Sequence, residues 1–220
     1  MTRKETLALY RPIRAKIQRH LQAAPKFAER AAWLHAADTL GIVEDGKVVA
    51  DESAIDMLAD AVLFEVSPAG NRVIDHYVTG LVDHHERAFA KRIAKGIFSI
   101  WRILEPHPQG GFWVEDALGF HKRRHLMDVA LEKSASAEML LAMRLLDAGP
   151  FFAGFGIVIQ VSELATAMLR GICRTRRPPD LNVAVYGHAI HGMSIEETLM
   201  RNLIPESIGG RLSVLREQYF

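Results

Sequence analysis

Titratable and metal-ligating side chains crowd into one stretch, IDHYVTGLVDHHER, which holds Asp75, His76, Asp83, His84, His85 and Glu86. Read as a helix, it places His76 and Asp83 two turns apart on one face, and a metal ion there needs further ligands from another element. His188 and His191 in GHAIHG are the candidates, because Gly187 and Gly192 permit tight turns around them. No cofactor is expected; the alternative is a divalent-metal site drawn from His76, Asp83, His84, His188 and His191, which requires the fold to bring the two stretches together. His85 falls on the apolar stripe of the same helix and reads as a core residue.

A second chemistry is phosphate binding. HKRRH supplies Lys122, Arg123 and Arg124 between predicted strands, and RTRRPP supplies Arg174, Arg176 and Arg177 after a helix. Lys91, Arg92 and Lys95 add to that charge. Trp101, Phe112 and Trp113 lie on neighbouring strands and could stack bases, as aromatic residues do on OB-like barrels. The competing reading is solvated loops and core aromatics, since 27 Lys and Arg are balanced by 26 Asp and Glu. Cys173, beside the same arginines, reads either as an activated thiolate or as a small buried hydrophobe. HExxH, GxSxG, P-loop and dinucleotide fingerprints are absent from the sequence.

The elements that must position these residues follow from periodicity and punctuation. Thr2 to Glu5 has the form of a capping box, and Leu7, Tyr10, Ile13, Ile17 and Leu21 recur at helical spacing through Pro12. Pro25 restarts the chain into a second helix ending at Gly41, paired antiparallel with the first. IVEDGKVVAD is a hairpin signal around Asp45 and Gly46. Asp51 caps a helix over Glu52 to Glu65. Ser67 and Pro68 open one long helix, about Ala69 to Lys95.

From Gly96 to Val161 the chain changes character. FSIWRILEP, FWVEDAL, MLLAMRLL and FFAGFGIVIQV are rich in β-branched and aromatic residues, with Pro and Gly between them, and read as antiparallel strands. HKRRH reads as a loop among them. A hairpin through His107 to Gly111 would bring Trp101 and Trp113 together. Such strands make either a small, partly closed barrel, which removes exposed edges, or an open sheet covered by the long helix. After Val161, Ser162 caps another helix; NVAVYG reads as one more strand, and helices are expected from Ser194 and from Pro205.

The order ERAFAKRIAKG, FSIWRILEPHPQGGFWVEDALGF, ALEKSASAEMLLAMRLL, about Glu86 to Leu146, resembles a segment of bacterial proteins with a helix-plus-small-barrel arrangement, some of which also carry a SEC-C zinc motif. The resemblance implies that arrangement and no activity. The Cys-rich SEC-C signature is absent here, so its zinc is not implied.

The fold class expected is α+β: a helical region over 1–95, a β-core over 96–161 and C-terminal helices over 162–220 packed on it. Met1 to Arg19 has no signal-peptide pattern, no apolar run is long enough for a bilayer, and the single cysteine suits a reducing compartment, so a cytoplasmic protein is expected. With no complete catalytic site, the function expected is a non-enzymatic binding or adaptor protein. It would act on a protein partner or as a homo-oligomer through apolar residues such as Leu212, Val214, Leu215, Tyr219 and Phe220. Nucleic-acid binding and metal-dependent catalysis are the alternatives.

Overall fold

The computed structural model describes residues 1–67, 70–119, 122–173 and 181–192. Helix α1, Arg3–Ala23, opens on the expected capping box: the Thr2 hydroxyl accepts from the Glu5 amide, and the Glu5 carboxylate accepts from the Thr2 amide. Pro12 lies inside α1 without ending it. A 3-10 turn at Ala24–Phe27 leads to α2, Arg30–Thr39, which packs on α3, Glu52–Phe64, rather than pairing closely with α1. Between them lies the short hairpin of β1, Val43–Glu44, and β2, Lys47–Val48. The Asp51 carboxylate caps α3 by accepting from Ala54 N–H at 2.8 Å.

The long helix expected over 69–95 is two helices, α4 at Val73–Gly80 and α5 at His84–Ala94. Gly80 ends the first, and Phe27 packs against it where a Cβ would lie only 3.1 Å from the ring. The Asp83 carboxylate then accepts from Glu86 N–H at 2.8 Å and starts the second. Arg87 closes the break by donating to the Leu81 carbonyl.

Five strands form a closed barrel: β3, Ile97–Pro106; β4, Phe112–Asp116; β5, Arg124–Met127; β6, Leu140–Asp147; and β7, Phe152–Val161. Their order around the ring is β3-β4-β5-β7-β6, with β6 returning to β3. All pairs are antiparallel except β5 with β7, and a short helix α6, Leu131–Ser134, connects β5 to β6. This is the Greek-key order of five-stranded OB-type barrels. Closure removes the edges that an open sheet would expose.

Trp101, Ile103, Phe112, Val114, Leu126, Leu141, Met143 and Leu145 fill the barrel, with Leu131 and Met139 packed against them. The outer faces of β6, β7 and the first half of β3 meet the helices. Tyr10, Ile17, Phe64, Ile74, Phe89 and Ile93 cover Met127, Leu146 and Phe155 on one side. Leu58, Val62 and Tyr186 cover Phe98, Ile100 and Ala142 on the other.

Helix α7, Glu163–Cys173, begins as expected with the Ser162 hydroxyl accepting from Ala165 N–H at 3.1 Å. NVAVYG is not a strand: it lies in α8, Leu181–His191, whose residues from Leu181 to Gly187 are all buried. A helix enclosed on every side has no polar stripe, so its apolar run reads like a buried strand. The helices expected from Ser194 and Pro205, and the apolar C-terminal residues, lie outside the described residues.

Candidate functional site

The outer surface of β4 and the second half of β3 is the part of the barrel wall that no helix covers broadly among the described residues. Strand alternation decides what it displays. Phe112 and Val114 point inward, so Trp113 and Glu115 point out, opposite His125 on β5 and Arg102 on β3. A register shift between Ile103 and Glu105 then sets Glu105 opposite Trp113.

Trp113 is half-buried at the centre of this face. The His107 ring meets it edge-on with centroids 4.6 Å apart, and the Arg123 guanidinium stands 5.6 Å above it. Glu105 holds Arg123 by an ion pair of 2.6 Å. Behind His107, the buried His125 ring stacks in parallel, with centroids 3.5 Å apart and planes 10° apart. His125 Nε2 lies 2.7 Å from the Gly110 carbonyl, which assigns the proton to that nitrogen, while His107 Nδ1 accepts from Gln109 N–H at 3.1 Å. Burial lowers the pKa of both imidazoles, and for His107 the neighbouring His125 lowers it further. Two charges stacked at this distance would repel strongly, so the neutral pair is the stable form at neutral pH.

Beside this cluster, Arg102 gathers three carboxylates: Glu163 at 2.6 Å, Glu138 at 2.9 Å and Glu115 at 3.9 Å. The hydrogen bond from Arg102 lowers the Glu163 pKa, and the same contact raises that of Arg102. The face is thus a ring platform bordered by ion pairs, with each of its two arginines already facing acid.

Several residues singled out from the sequence are elsewhere. Trp101 is not beside Trp113: its register partner on β4 is Asp116, and it is fully buried inside the barrel with Nε1 donating to the Met143 carbonyl. It cannot meet a base on the surface. HKRRH is a loop only in part, since β5 begins at Arg124, whose side chain turns toward the barrel interior opposite Val114. Lys122 and Arg123 are exposed. Arg174, Arg176 and Arg177 lie outside the described residues.

The metal candidates are spread over separate elements. His76 on α4 meets the Phe27 ring edge-on, Asp83 caps α5, and His84 and His85 are both exposed, so His85 is not a core residue. His188 and His191 are on α8, where His191 Nε2 lies 2.8 Å from the Leu40 carbonyl. Among the described residues no three His, Cys, Asp or Glu side chains converge as a metal site.

Sequence reasoning missed two buried polar clusters. On α1, His20 Nδ1 lies 2.6 Å from the Tyr77 hydroxyl, and its Nε2 is 3.0 Å from Glu86, off the line of a hydrogen bond. Asp60, Arg144 and Tyr186 form the other. A lone charged residue inside an apolar run, Asp60 in MLADAVLF and Arg144 in LLAMRLL, was the available signal. No helix among the described residues is long and apolar enough to cross a membrane.

Compared with known proteins, residues 4–164 match a family model described as a family of unknown function (DUF7986). No curated protein and no solved structure matches the chain.

Proposed function

We propose that the chain, which belongs to the family of unknown function DUF7986, is a non-enzymatic binding protein that presents the outer face of β3 and β4 to a protein partner. The supporting observation is the distribution of cover: among the described residues, helices pack on β6, β7 and the first half of β3, and none packs broadly on the wall that displays Trp113. A half-buried tryptophan among arginines, bordered by charge, has the composition of an interaction hot spot. No cofactor enters this reading, and the single Cys173 agrees with a cytoplasmic setting. The resemblance to helix-plus-small-barrel proteins, some of which carry a SEC-C motif, implies no activity.

Charge separates this reading from nucleic-acid binding. Affinity for a polyanion comes largely from cations free to replace counterions. Here Arg123 is held by Glu105, and Arg102 by Glu115, Glu138 and Glu163. A partner with its own mixture of charges suits the face better than a phosphate backbone.

The OB-type strand order nevertheless gives nucleic acid a specific second claim, because such barrels bind oligonucleotides on the face of their second and third strands, here β4 and β5, which carry Trp113 and His125. Anisotropy titrations of labelled single- and double-stranded oligonucleotides at two salt concentrations separate the two. Salt-sensitive binding that is weakened by Lys122→Glu with Arg123→Glu would replace the protein reading.

The protein reading is tested by a photocrosslinking residue at exposed position 105, with exposed Val82 as the control position. A discrete adduct from position 105 alone is expected, at twice the chain mass if the partner is a second copy. Equal adducts from both positions, or none, would overturn it.

A further inference from the structure

We propose that Arg124, at the entrance of the barrel, forms a seat for an oxyanion, either a carboxylate or a phosphate. The strand register turns its side chain to the inner side of β5, opposite Val114. There its guanidinium carbon stands 4.6 Å from the centre of the Phe152 ring and 5.6 Å from that of Trp101. The two rings hold the group, and Nε is sealed from solvent with no hydrogen-bond partner. The residue as a whole is half-buried, and its terminal nitrogens, which have no hydrogen-bond partner among the described residues, are not among the sealed atoms, which leaves them as the part open to a ligand.

Its surroundings distinguish it from the other barrel arginines. Arg102 and Arg123 meet carboxylates on the outer face, and Arg144 is paired with Asp60. Among the described residues no ion pair is formed with Arg124. Asp116, at the same end of the barrel, is already engaged: its Oδ1 accepts from the Ser99 hydroxyl at 2.7 Å and from Leu118 N–H at 3.0 Å. Aromatic faces offset part of the cost of desolvating a guanidinium, and they supply no counter-charge localised on its N–H groups.

A planar oxyanion meeting the two terminal nitrogens side by side supplies that charge in the geometry a guanidinium favours. Exposed Lys122, two residues earlier, adds long-range attraction toward the same entrance. The seat is separate from the Trp113 platform, since Arg124 and Trp113 point to opposite sides of the barrel wall.

The test is a titration of the full 15N-labelled chain with sodium phosphate and with sodium acetate, against sodium chloride at matched ionic strength, following the Arg124 side-chain N–H and the amides of Lys122 to Leu126. Saturable shifts with phosphate or acetate and none with chloride are expected; the tighter of the two identifies a phosphate-bearing or a carboxylate ligand. Arg124→Gln should remove the response, and Arg124→Lys, which keeps the charge and loses the fork, should weaken it about tenfold. Shifts that never saturate, that chloride reproduces, or that survive in Arg124→Gln overturn the proposal. If Arg124→Gln does not fold, undiminished affinity in Arg124→Lys overturns it instead.

Discussion

Asp60 on α3 and Arg144 on β6, 84 residues apart in the chain, form a buried ion pair with Arg144 Nη2 3.1 Å from Asp60 Oδ2. Tyr186 on α8 donates its hydroxyl to the same oxygen at 2.6 Å, and the Arg144 guanidinium packs 4.0 Å from the centre of the Phe64 ring. Three elements of the helical layer and the barrel thus meet at one carboxylate. Removing one partner of such a pair strands a buried charge, whereas replacing both by apolar groups does not.

Asp60→Ala is therefore expected to destabilise the fold by about 3–5 kcal/mol, measured by urea unfolding, and Asp60→Leu combined with Arg144→Met to recover much of that loss. Tyr186→Phe, which removes one hydrogen bond to a charged acceptor without a cavity, should cost about 1.5–3 kcal/mol. An Asp60→Ala protein as stable as the wild type would show that the pair contributes nothing.

Trp113→Ala is expected to weaken partner binding at least about 30-fold, the size of a hot-spot truncation of about 2 kcal/mol. The melting temperature should move little, because Trp113 is half-buried on the outer wall rather than in the barrel core. Trp101→Ala should do the reverse, unfolding the barrel by about 3–5 kcal/mol through a large cavity. If the two substitutions have the same effect on stability, the division between outer platform and core is wrong.

Two glycines with the same backbone twist should respond differently to alanine. Gly111 has φ +72° and a Cβ there would lie 2.0 Å from the Leu126 carbonyl oxygen, whereas Gly46 has φ +71° and nothing within 4 Å. Gly46→Ala should cost only the conformational strain, about 1–2 kcal/mol. Gly111→Ala should cost clearly more, because backbone must also move. Equal urea midpoints for the two variants would contradict the close approach of the β3–β4 turn to β5.

Acid should destabilise the protein before its carboxylates titrate. Burial lowers the pKa values of His20, His107 and His125 in the folded chain below the ordinary 6.5. The unfolded chain then binds more protons than the folded one, so stability is complete above that value and falls as pH drops through it toward the lowered values. Urea midpoints should be lower at about pH 5.5 than at about pH 7.5, and His125→Gln should flatten the difference. A midpoint at about pH 5.5 equal to or above that at about pH 7.5 would mean that these rings are not neutral in the fold.

Sequence and structure agree best where the signal is local. The capping box at Thr2, the caps at Asp51 and Ser162, the hairpin at Asp45 and Gly46, and the β-rich segment from Gly96 to Val161 all depend on neighbours in the chain. The break between α4 and α5 is equally local, since Asp83 and Glu86 repeat the capping spacing, but apolar residues at helical spacing on both sides of Gly80 mask it. The α8 segment could not be read that way, because its burial on all sides erases the periodicity that marks a helix.

The α+β class, the β-core and the starts of α1, α3 and α7 follow from the sequence alone, since backbone propensity and capping act over three or four residues. It also held the aromatic and arginine residues of the candidate face. Which of them face outward depends on how the strands pair in the folded barrel. The register shift at Glu105 and the alternation along β4 turn Trp113 out, while Trp101 and Arg124 turn in. Inward and outward differ by a single residue of register, and that register is set by pairing between strands far apart in the chain.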